Sequence, residues 1–552
     1  MKKLLVATYV TLLSFVSISQ HEPFGFSLSE QMLENLSTKE LSTFDHATLL
    51  EEDTRREQLG QRSNFGRIIP LEVNQESEGK WTTLPNGDRL WQFRFHTENA
   101  KGVSVYFNDL FLPIGSTLYL YPANRKYFVG PFSNEDCNTH GHFVAGEVAG
   151  DEAILEYYEP ADVVGLARIG IRGIAHLYRF VPEFEEESRG GGSEPCEVDV
   201  NCPEGAEWTS ERDAVVRLTI SEGALVGFCS GTLMNTTAKD CRKYILTALH
   251  CGENVSDADW LDCSVRFNYE SSGCASGSTT TTRNKIGVLH LADSNDGGGQ
   301  TGSDFLLLEM EDEIPASWTP FFAGWNASTS AANTGVSIHH PAGDKKKIST
   351  TDDIISGTYS APGFHWRVKW METITNWGVT EPGSSGSPLF DQNHFVVGTL
   401  TGGVSFCDSP NGSDWYGKMS KHWTANPNTS DQKLKEWLDP EDTGLFQFGG
   451  SYKIENAAFP CDPAAINVNE FNFEDMQIFP SIADQAITIS TARYAEVEEI
   501  RIFDQSGKLL SSTALKSARE SVDITNYAAG LYYVTFVGYN GNFVTKKFAV
   551  AH

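Results

Sequence analysis

The amino-acid sequence predicts an all-β protein made of several separately cored units, and three observations carry that expectation. Short runs such as "LWQFRFHT", "GVSVYFND", "STLYLYPA" and "AILEYYE" alternate apolar and polar residues between Gly, Pro and Asn turns. That two-residue period belongs to half-buried strands. Helical patterning is scarce: the one good candidate is "SDQKLKEWLDP", where Ser430 can cap, Leu434, Trp437 and Leu438 share a face, and Pro440 stops the turn. The 552 residues exceed what one core organises, and roughly 100 to 200 residues per domain implies about three or four units.

Taken in order, the chain begins with Met1, Lys2 and Lys3, an apolar stretch from Leu4 to about Val16, and small residues before Gln20. This is the pattern of a secretory signal over residues 1–20. The stretch falls short of the roughly 20 apolar residues of a membrane span, and no later segment reaches that length. Export makes the ten cysteines disulfide partners rather than redox or metal groups. Residues 21–189 open with a polar, Glu-rich segment and continue, from about residue 70 to near Val181, as an antiparallel sandwich. In "PEFEEESRGGGSEPC" a charged and then glycine-rich composition reads as exposed and cleavable, which places a boundary at Arg189. Residues 190–450 are strand-rich again, and 451–470 form a sparse linker. Residues 471–552 return to β patterning in "MQIFPS", "AITIST", "VEEIRIFDQSGKLL", "GLYYVTFVG" and "FVTKKFAV", with "DQSGK" as a hairpin turn. The formal charge of -31 argues against a nucleic-acid partner, because phosphate binding needs clustered cations.

Three positions stand out chemically. His250 lies in "YILTALHCG", after a buried-looking strand and directly before Cys251, which could pair with Cys229 of "GFCSGTLMN" and hold the imidazole where a general base is needed. Asp304 heads the apolar run of "GSDFLLLEM"; it is either a turn aspartate that starts the strand or the carboxylate that orients a histidine ring. "PGSSGSPLF" would pass for a linker by composition, yet it sits between "WGVT" and a strand. Its Gly383-Ser384-Ser385-Gly386 core permits the tight turn from which a nucleophilic serine projects beside backbone N–H groups.

The order His250, Asp304, Ser385 is that of the chymotrypsin-like serine proteases. From about Cys196 to Phe448 the chain resembles the bacterial lysyl endopeptidases of the trypsin-like family, in "CEVDVNCPEG", "NTTAKDCRKYILTALHCG", "SIHHP", "GVTEPGSSGSP" and "EWLDP". The resemblance implies a double β-barrel, with His250 as general base, Asp304 as its orienting partner, Ser385 as nucleophile, and the N–H groups of Gly383 and Ser385 as oxyanion hole. It also implies the disulfides Cys196–Cys407, Cys202–Cys274 and Cys229–Cys251. Cys241 and Cys263 fall outside that pattern and are expected to form a further bond around the histidine segment; Cys137 and Cys461 are left unassigned. Asp414 in "GSDWYGKM" matches the acidic residue at the base of the primary pocket, lined with Thr401, Gly402 and Gly403 of "GTLTGG"; its other reading is a turn aspartate. At Thr401 the sequence departs from the lysyl endopeptidases, which carry a histidine there.

In trypsin-type zymogens the freed N-terminus pairs with an aspartate just before the nucleophile, but position 384 is Ser, so activation is expected to avoid that ion pair. The sandwich resembles the propeptide of these enzymes in "LPIGSTLYLY" and "VGPFSNED", with release by a cut after Arg189. Residues 471–552 resemble the C-terminal sorting domain of type IX secretion substrates of Bacteroidetes, which implies contact with that machinery and an extracellular or cell-surface location. The expectation is a monomeric, secreted serine endopeptidase that cleaves protein or peptide substrates after basic residues, Lys before Arg, without metal or cofactor. A glutamyl or broad specificity is the alternative within the class, and a non-catalytic surface adhesin the alternative outside it.

Overall fold

The computed structural model describes residues 22–27, 35–179, 192–463 and 477–551, apart from positions 275, 280–282, 331, 426–428, 430–431, 455–456, 458, 492–496, 506–507 and 539–542. The expected signal, the cut at Arg189 and the cap at Ser430 lie outside the described residues. Contacts divide the chain into Met1–Asn456 and Ala457–His552.

Within residues 215–418, each of two sheets curls until one run of chain pairs on both of its sides. In the first, Val215–Glu222 pairs with Leu225–Leu233, which pairs with Tyr244–Thr247, then Leu306–Met310, then Val288–Asp293. On the other side Val215–Glu222 pairs with Ser264–Phe267 and that strand with Arg283–Ile286. Only Gly287, at φ +94°, separates Arg283–Ile286 from Val288–Asp293, so this single bent run closes a barrel. The second sheet repeats the device. Gly335–His339, Pro388–Asp391, Val396–Gly403, Asp414–Lys418 and Pro362–Lys369 pair in succession. The run Lys347–Thr351 to Asp353–Thr358 pairs with the strands at both ends. Closure removes free sheet edges, and apolar side chains that share one face, such as Leu218, Ile245 and Leu308 in one barrel, and Val368, Leu389 and Tyr416 in the other, are fully buried. The helix expected at "SDQKLKEWLDP" is short, Lys435–Leu438, with Leu434 and Leu438 buried.

The N-terminal sandwich stacks one sheet ordered Thr38–Glu40, Arg89–His96, Glu152–Glu159, Thr117–Pro122 and Val129–Phe132 on the strands Asn64–Asn74, Arg168–Leu177, Gly102–Phe111 and Phe143–Ala149. Trp91, Phe93, Phe95, Val105, Phe107 and Tyr157 fill the space between, each worth roughly 1.5–3 kcal/mol on burial. Two elements went unread in the sequence. His46–Gln58 is a helix whose N-terminus is capped by Asp45, which accepts from the Thr48 amide at 3.3 Å. Asn64–Asn74 starts before the expected sandwich boundary and pairs on both sides, with Arg168–Leu177 and with Leu225–Leu233 of the first barrel. Sandwich and barrel therefore share one sheet.

That junction is also ionic. The buried Glu147 of the sandwich accepts from Arg217 and Arg266 of the barrel, each at 2.7 Å. Burial pushes its carboxyl up, but the two guanidinium groups outweigh this and hold it down at about 2. In the opposite sense, Asp262 of the barrel takes His142 at 2.9 Å and Arg172.

Ser451–Tyr452 still pairs with Phe321–Phe322, so the first unit runs past the expected end at residue 450. In Ala457–His552, strands Gln477–Phe479, Ala486–Ser490 and Arg519–Asp523 make one sheet, and Ile482–Ala483, Phe543–Val550, Gly530–Gly538, Val497–Asp504 and Leu509–Thr513 the other. Ile487, Ile500, Val534 and Phe536 lie in the core between them.

Removing one partner of a buried ion pair leaves the other charge uncompensated, at a cost of about 3–5 kcal/mol. Glu147→Ala should therefore lower the urea midpoint of the Ser385→Ala chain by that free energy, whereas Asp109→Ala, at the exposed Arg168 pair, should change it by under about 1 kcal/mol.

Candidate active site

His250 sits in a tight turn, Leu249–Cys251, at the end of strand Tyr244–Thr247. Cys251 is bonded to Cys229 of the neighbouring strand, which anchors the turn from behind. The Asp304 carboxylate grips His250 twice: Oδ1 accepts the His250 backbone N–H at 2.9 Å and Oδ2 lies 2.7 Å from ring Nδ1. The ring is thereby held with Nδ1 as donor and Nε2 turned to the acceptor role. Burial would push the imidazole down, but the charge and hydrogen bond of Asp304 outweigh it and hold His250 above its ordinary value of 6.5.

Asp304 is held in turn by a residue the sequence reading missed. Its φ of +59° is left-handed, a conformation a non-glycine residue keeps only where its surroundings enforce it. The brace is Asp296, whose Oδ2 accepts the Asp304 N–H at 2.8 Å and whose Oδ1 accepts Gly299 N–H at 2.9 Å. Burial first, and the charge of Asp304 second, push the Asp296 carboxyl up. The glycines between them are required by space: a Cβ on Gly298 would lie 2.8 Å from the His250 Cβ, and one on Gly302 2.4 Å from the Asp296 Oδ2. The signal was present in "NDGGGQTGSD", an Asp before a glycine run.

Ser385 belongs to the second barrel and is half-buried on the turn before Pro388–Asp391. Gly383 and Gly386 both have positive φ, +101° and +78°. A Cβ on Gly386 would come within 2.0 Å of Thr247 Oγ1 and 2.7 Å of Ala248 N, so this turn packs directly on the segment that leads to His250. Ser230 of the first barrel closes the junction, with its N–H donating to the Ser385 carbonyl at 2.8 Å and its hydroxyl to the Gly383 carbonyl at 3.0 Å. The N–H groups of Ser384, Gly386 and Ser387 go to the carbonyls of Glu381, Leu400 and Ser384. Among the described residues no protein acceptor takes those of Gly383 or Ser385.

Asp414 is fully buried and accepts from Ser405 N–H at 3.1 Å, Ser405 hydroxyl at 2.6 Å, Trp370 Nε1 at 2.6 Å and Thr380 hydroxyl at 2.7 Å. Burial holds its carboxyl above the usual value even against those donors. Gly403 faces it across the strand pair, where a Cβ would lie 1.7 Å from Oδ1. Thr401 is buried and its hydroxyl lies 3.1 Å from Nε2 of His365, whose ring packs 5.6 Å from that of Tyr359; Gly402 faces the Tyr359 hydroxyl.

The structure contains the disulfides Cys196–Cys407, Cys202–Cys274 and Cys229–Cys251. The expected Cys241–Cys263 bond is corrected: Cys241 is disulfide-bonded, but Cys263 is a free, fully buried thiol, pushed up to about 12 by burial. Cys137 is free and Cys461 is disulfide-bonded.

Residues 190–417 match the family of the lysyl endopeptidase C-terminal domain, and residues 477–551 match the secretion system C-terminal sorting domain. A lysyl endopeptidase of Pseudomonas aeruginosa is 27% identical over 352 residues, which span 60% of this chain and 72% of that protein. Among solved structures, a thermostable serine protease from an extremophilic microorganism aligns with a TM-score of 0.28 and 12% identity over 38% of this chain and 93% of its own. The protease Anisep from Arthrobacter nicotinovorans aligns with a TM-score of 0.27 and 14% identity over 38% and 90%.

Without the Asp296 carboxylate, the left-handed Asp304 loses its brace and the imidazole its fixed orientation. A misplacement of about 1 Å costs on the order of 100-fold, so Asp296→Ala should slow the reaction of Ser385 with a fluorophosphonate by about that factor, measured as the labelling rate constant on folded protein.

Proposed function

We propose that this chain, a lysyl endopeptidase-like serine endopeptidase carrying a type IX secretion sorting domain, hydrolyses peptide bonds after basic residues, Lys before Arg, through Ser385, His250 and Asp304. The observation that carries the reading is the double grip of Asp304 on His250, because it fixes the tautomer that a general base requires. The Ser385 hydroxyl attacks the scissile carbonyl as its proton passes to Nε2 of His250. The carbonyl oxygen, now negative, takes the N–H groups of Gly383 and Ser385. Collapse breaks the C–N bond, His250 returns the proton to the leaving amine, and a water activated by the same imidazole then hydrolyses the acyl-enzyme.

Asp414 supports the basic preference, since a buried carboxylate at the pocket base rewards a substrate ammonium and penalises an acidic side chain. Thr401 stands in place of the family's histidine and is hydrogen-bonded to His365 instead, which keeps an imidazole on that wall of the cleft. The match to peptidases leaves the adhesin alternative without support; glutamyl or broad specificity is decided by peptides that differ only in the residue cleaved. Residues 21–189 act as a propeptide cut after Arg189, itself a basic residue, and the sorting tail directs export to an extracellular or cell-surface location. Self-processing requires that purified Ser385→Ala remain uncut there.

Because Asp304 raises His250, the base is lost as pH falls through a value above 6.5, and the acid limb of kcat/KM should lie above that ordinary value. Asp304→Asn should move the limb down and lower kcat by about 10⁴-fold, the scale known for this substitution in a related triad. Asp414→Asn should cost roughly 2–5 kcal/mol in kcat/KM toward Lys peptides and little toward neutral ones; preference of the unmodified enzyme for Glu over Lys would refute the pocket assignment.

A further inference from the structure

The motif "SIHHP" resembles the lysyl endopeptidases, yet the proposed chemistry makes no use of its histidines. His339, on strand Gly335–His339, is fully buried behind the turn that carries Ser385. Its Nδ1 lies 2.7 Å from the Ser384 hydroxyl and its Nε2 3.0 Å from the Ser349 hydroxyl. Ser384 Oγ also accepts the Glu381 N–H at 3.1 Å, and Ser349 Oγ donates to the Val379 carbonyl at 2.9 Å. Both serines are fully buried.

For a neutral imidazole only one arrangement of protons satisfies all of these contacts. The Glu381 N–H donates to Ser384 Oγ, and the Ser384 hydroxyl donates to Nδ1. The Nε2–H then donates to Ser349 Oγ, whose hydroxyl donates to the Val379 carbonyl. The neutral ring is thus protonated on Nε2. Burial first, and the Lys347 ammonium second, push His339 down to about 3, so the ring stays neutral even though Glu197 Oε2 lies 3.8 Å from Nε2. Glu381, on the same loop, is pushed up to about 7, chiefly by burial. Both ends of the relay fall on the segment Val379–Ser384, which enters the nucleophile turn, so the relay closes a ring behind Gly383 and Ser385.

We propose that His339 is a positioning residue that fixes the oxyanion turn through Ser384, in the structural place where a trypsin-type enzyme uses the ion pair of its freed N-terminus. The inference rests on the reading of Ser385 as nucleophile and of Gly383 and Ser385 as oxyanion donors. It follows that the turn is set before the chain is cut after Arg189 as well as afterwards.

The test is steady-state cleavage of a Lys p-nitroanilide peptide by processed enzyme, per site titrated with a fluorophosphonate, for His339→Ala, His339→Asn, Ser384→Ala and the double variant His339→Ala with Ser384→Ala. Loss of the relay should lower kcat per titrated site by about 100-fold with KM unchanged, and weaken a peptide aldehyde, which forms a tetrahedral adduct, by a similar factor. Ser384→Ala should match His339→Ala, the double variant should lose no more than either, and His339→Asn, whose amide oxygen still accepts from Ser384, should recover part of the loss. If the titrated fraction falls while kcat per site stays at the wild-type value, or if Ser384→Ala is fully active, His339 is packing alone and the inference is overturned. A wild-type enzyme that the fluorophosphonate fails to titrate would instead defeat the assignment of Ser385.

Discussion

Ser230 is the point through which the two barrels set one another. It is fully buried, and its polar groups reach both its own barrel and the second. Its N–H goes to the Ser385 carbonyl, its hydroxyl to the Gly383 carbonyl, its carbonyl receives the Thr247 hydroxyl at 2.8 Å, and its Oγ receives the His340 N–H at 2.9 Å. The nucleophile turn, the lead-in to His250 and the histidine motif therefore share one residue. A buried donor or acceptor left unmet costs about 1–3 kcal/mol, so none of these segments shifts without a penalty from the others. The preceding residue, Cys229, adds a covalent tie to Cys251. Spacing between the barrels is thus fixed by backbone and hydroxyl groups, and the three side chains proposed to react, His250, Asp304 and Ser385, inherit it.

The strongly acidic composition takes on a local meaning at this site. Asp296, Asp304 and Asp414 are all buried, and each is matched to donors of a different kind. Asp296 takes two backbone N–H groups, Asp304 takes a backbone N–H and an imidazole, and Asp414 takes hydroxyl, indole and backbone donors. Only the imidazole among these carries a proton that can leave. The carboxylate that grips His250 and the one proposed for the pocket base thus have separate sets of donors.

What the sequence made legible follows from how local each signal is. His250, Asp304 and Ser385 could be singled out as candidates because few residue types do the work of a triad and each sits in a distinctive setting, a Cys-flanked strand end, an acid before an apolar run, a glycine turn. The strands of the sandwich and of the terminal unit could be read from their two-residue period. Ser230 and His339 could not, because a hydrogen bond to a residue tens of positions away leaves no periodic trace; Asp296, whose partners Gly299 and Asp304 lie close in sequence, left only the signal of an Asp before a glycine run. The helix His46–Gln58 carried a readable cap at Asp45, but its polar surface hid it in a segment that reads simply as polar and Glu-rich. Cys263 shows the limit of counting: proximity in sequence to the histidine segment suggested a bond with Cys241, whereas pairing requires Cβ atoms at about 3.8 Å, which only the fold can supply.

On the reading of residues 21–189 as a propeptide, the N-terminal sandwich is docked on the first barrel close to the residues proposed to react. Its strand Asn64–Asn74 extends the first barrel's sheet beside the strand of Ser230, and Ile68 N–H donates to the Ala224 carbonyl at 2.7 Å. Just before that strand, the Arg62 guanidinium is buried and donates to the Cys251 carbonyl at 2.9 Å, one residue from His250. Gly60 lies against Gln300 of the loop that carries Asp304. None of these contacts depends on the peptide bond after Arg189, so a cut there severs the chain without undoing the dock. Within the dock, Glu147 between its two arginines is held well below the usual carboxylate range. On the propeptide reading, release of the enzyme therefore requires that these contacts be broken as well as the bond after Arg189.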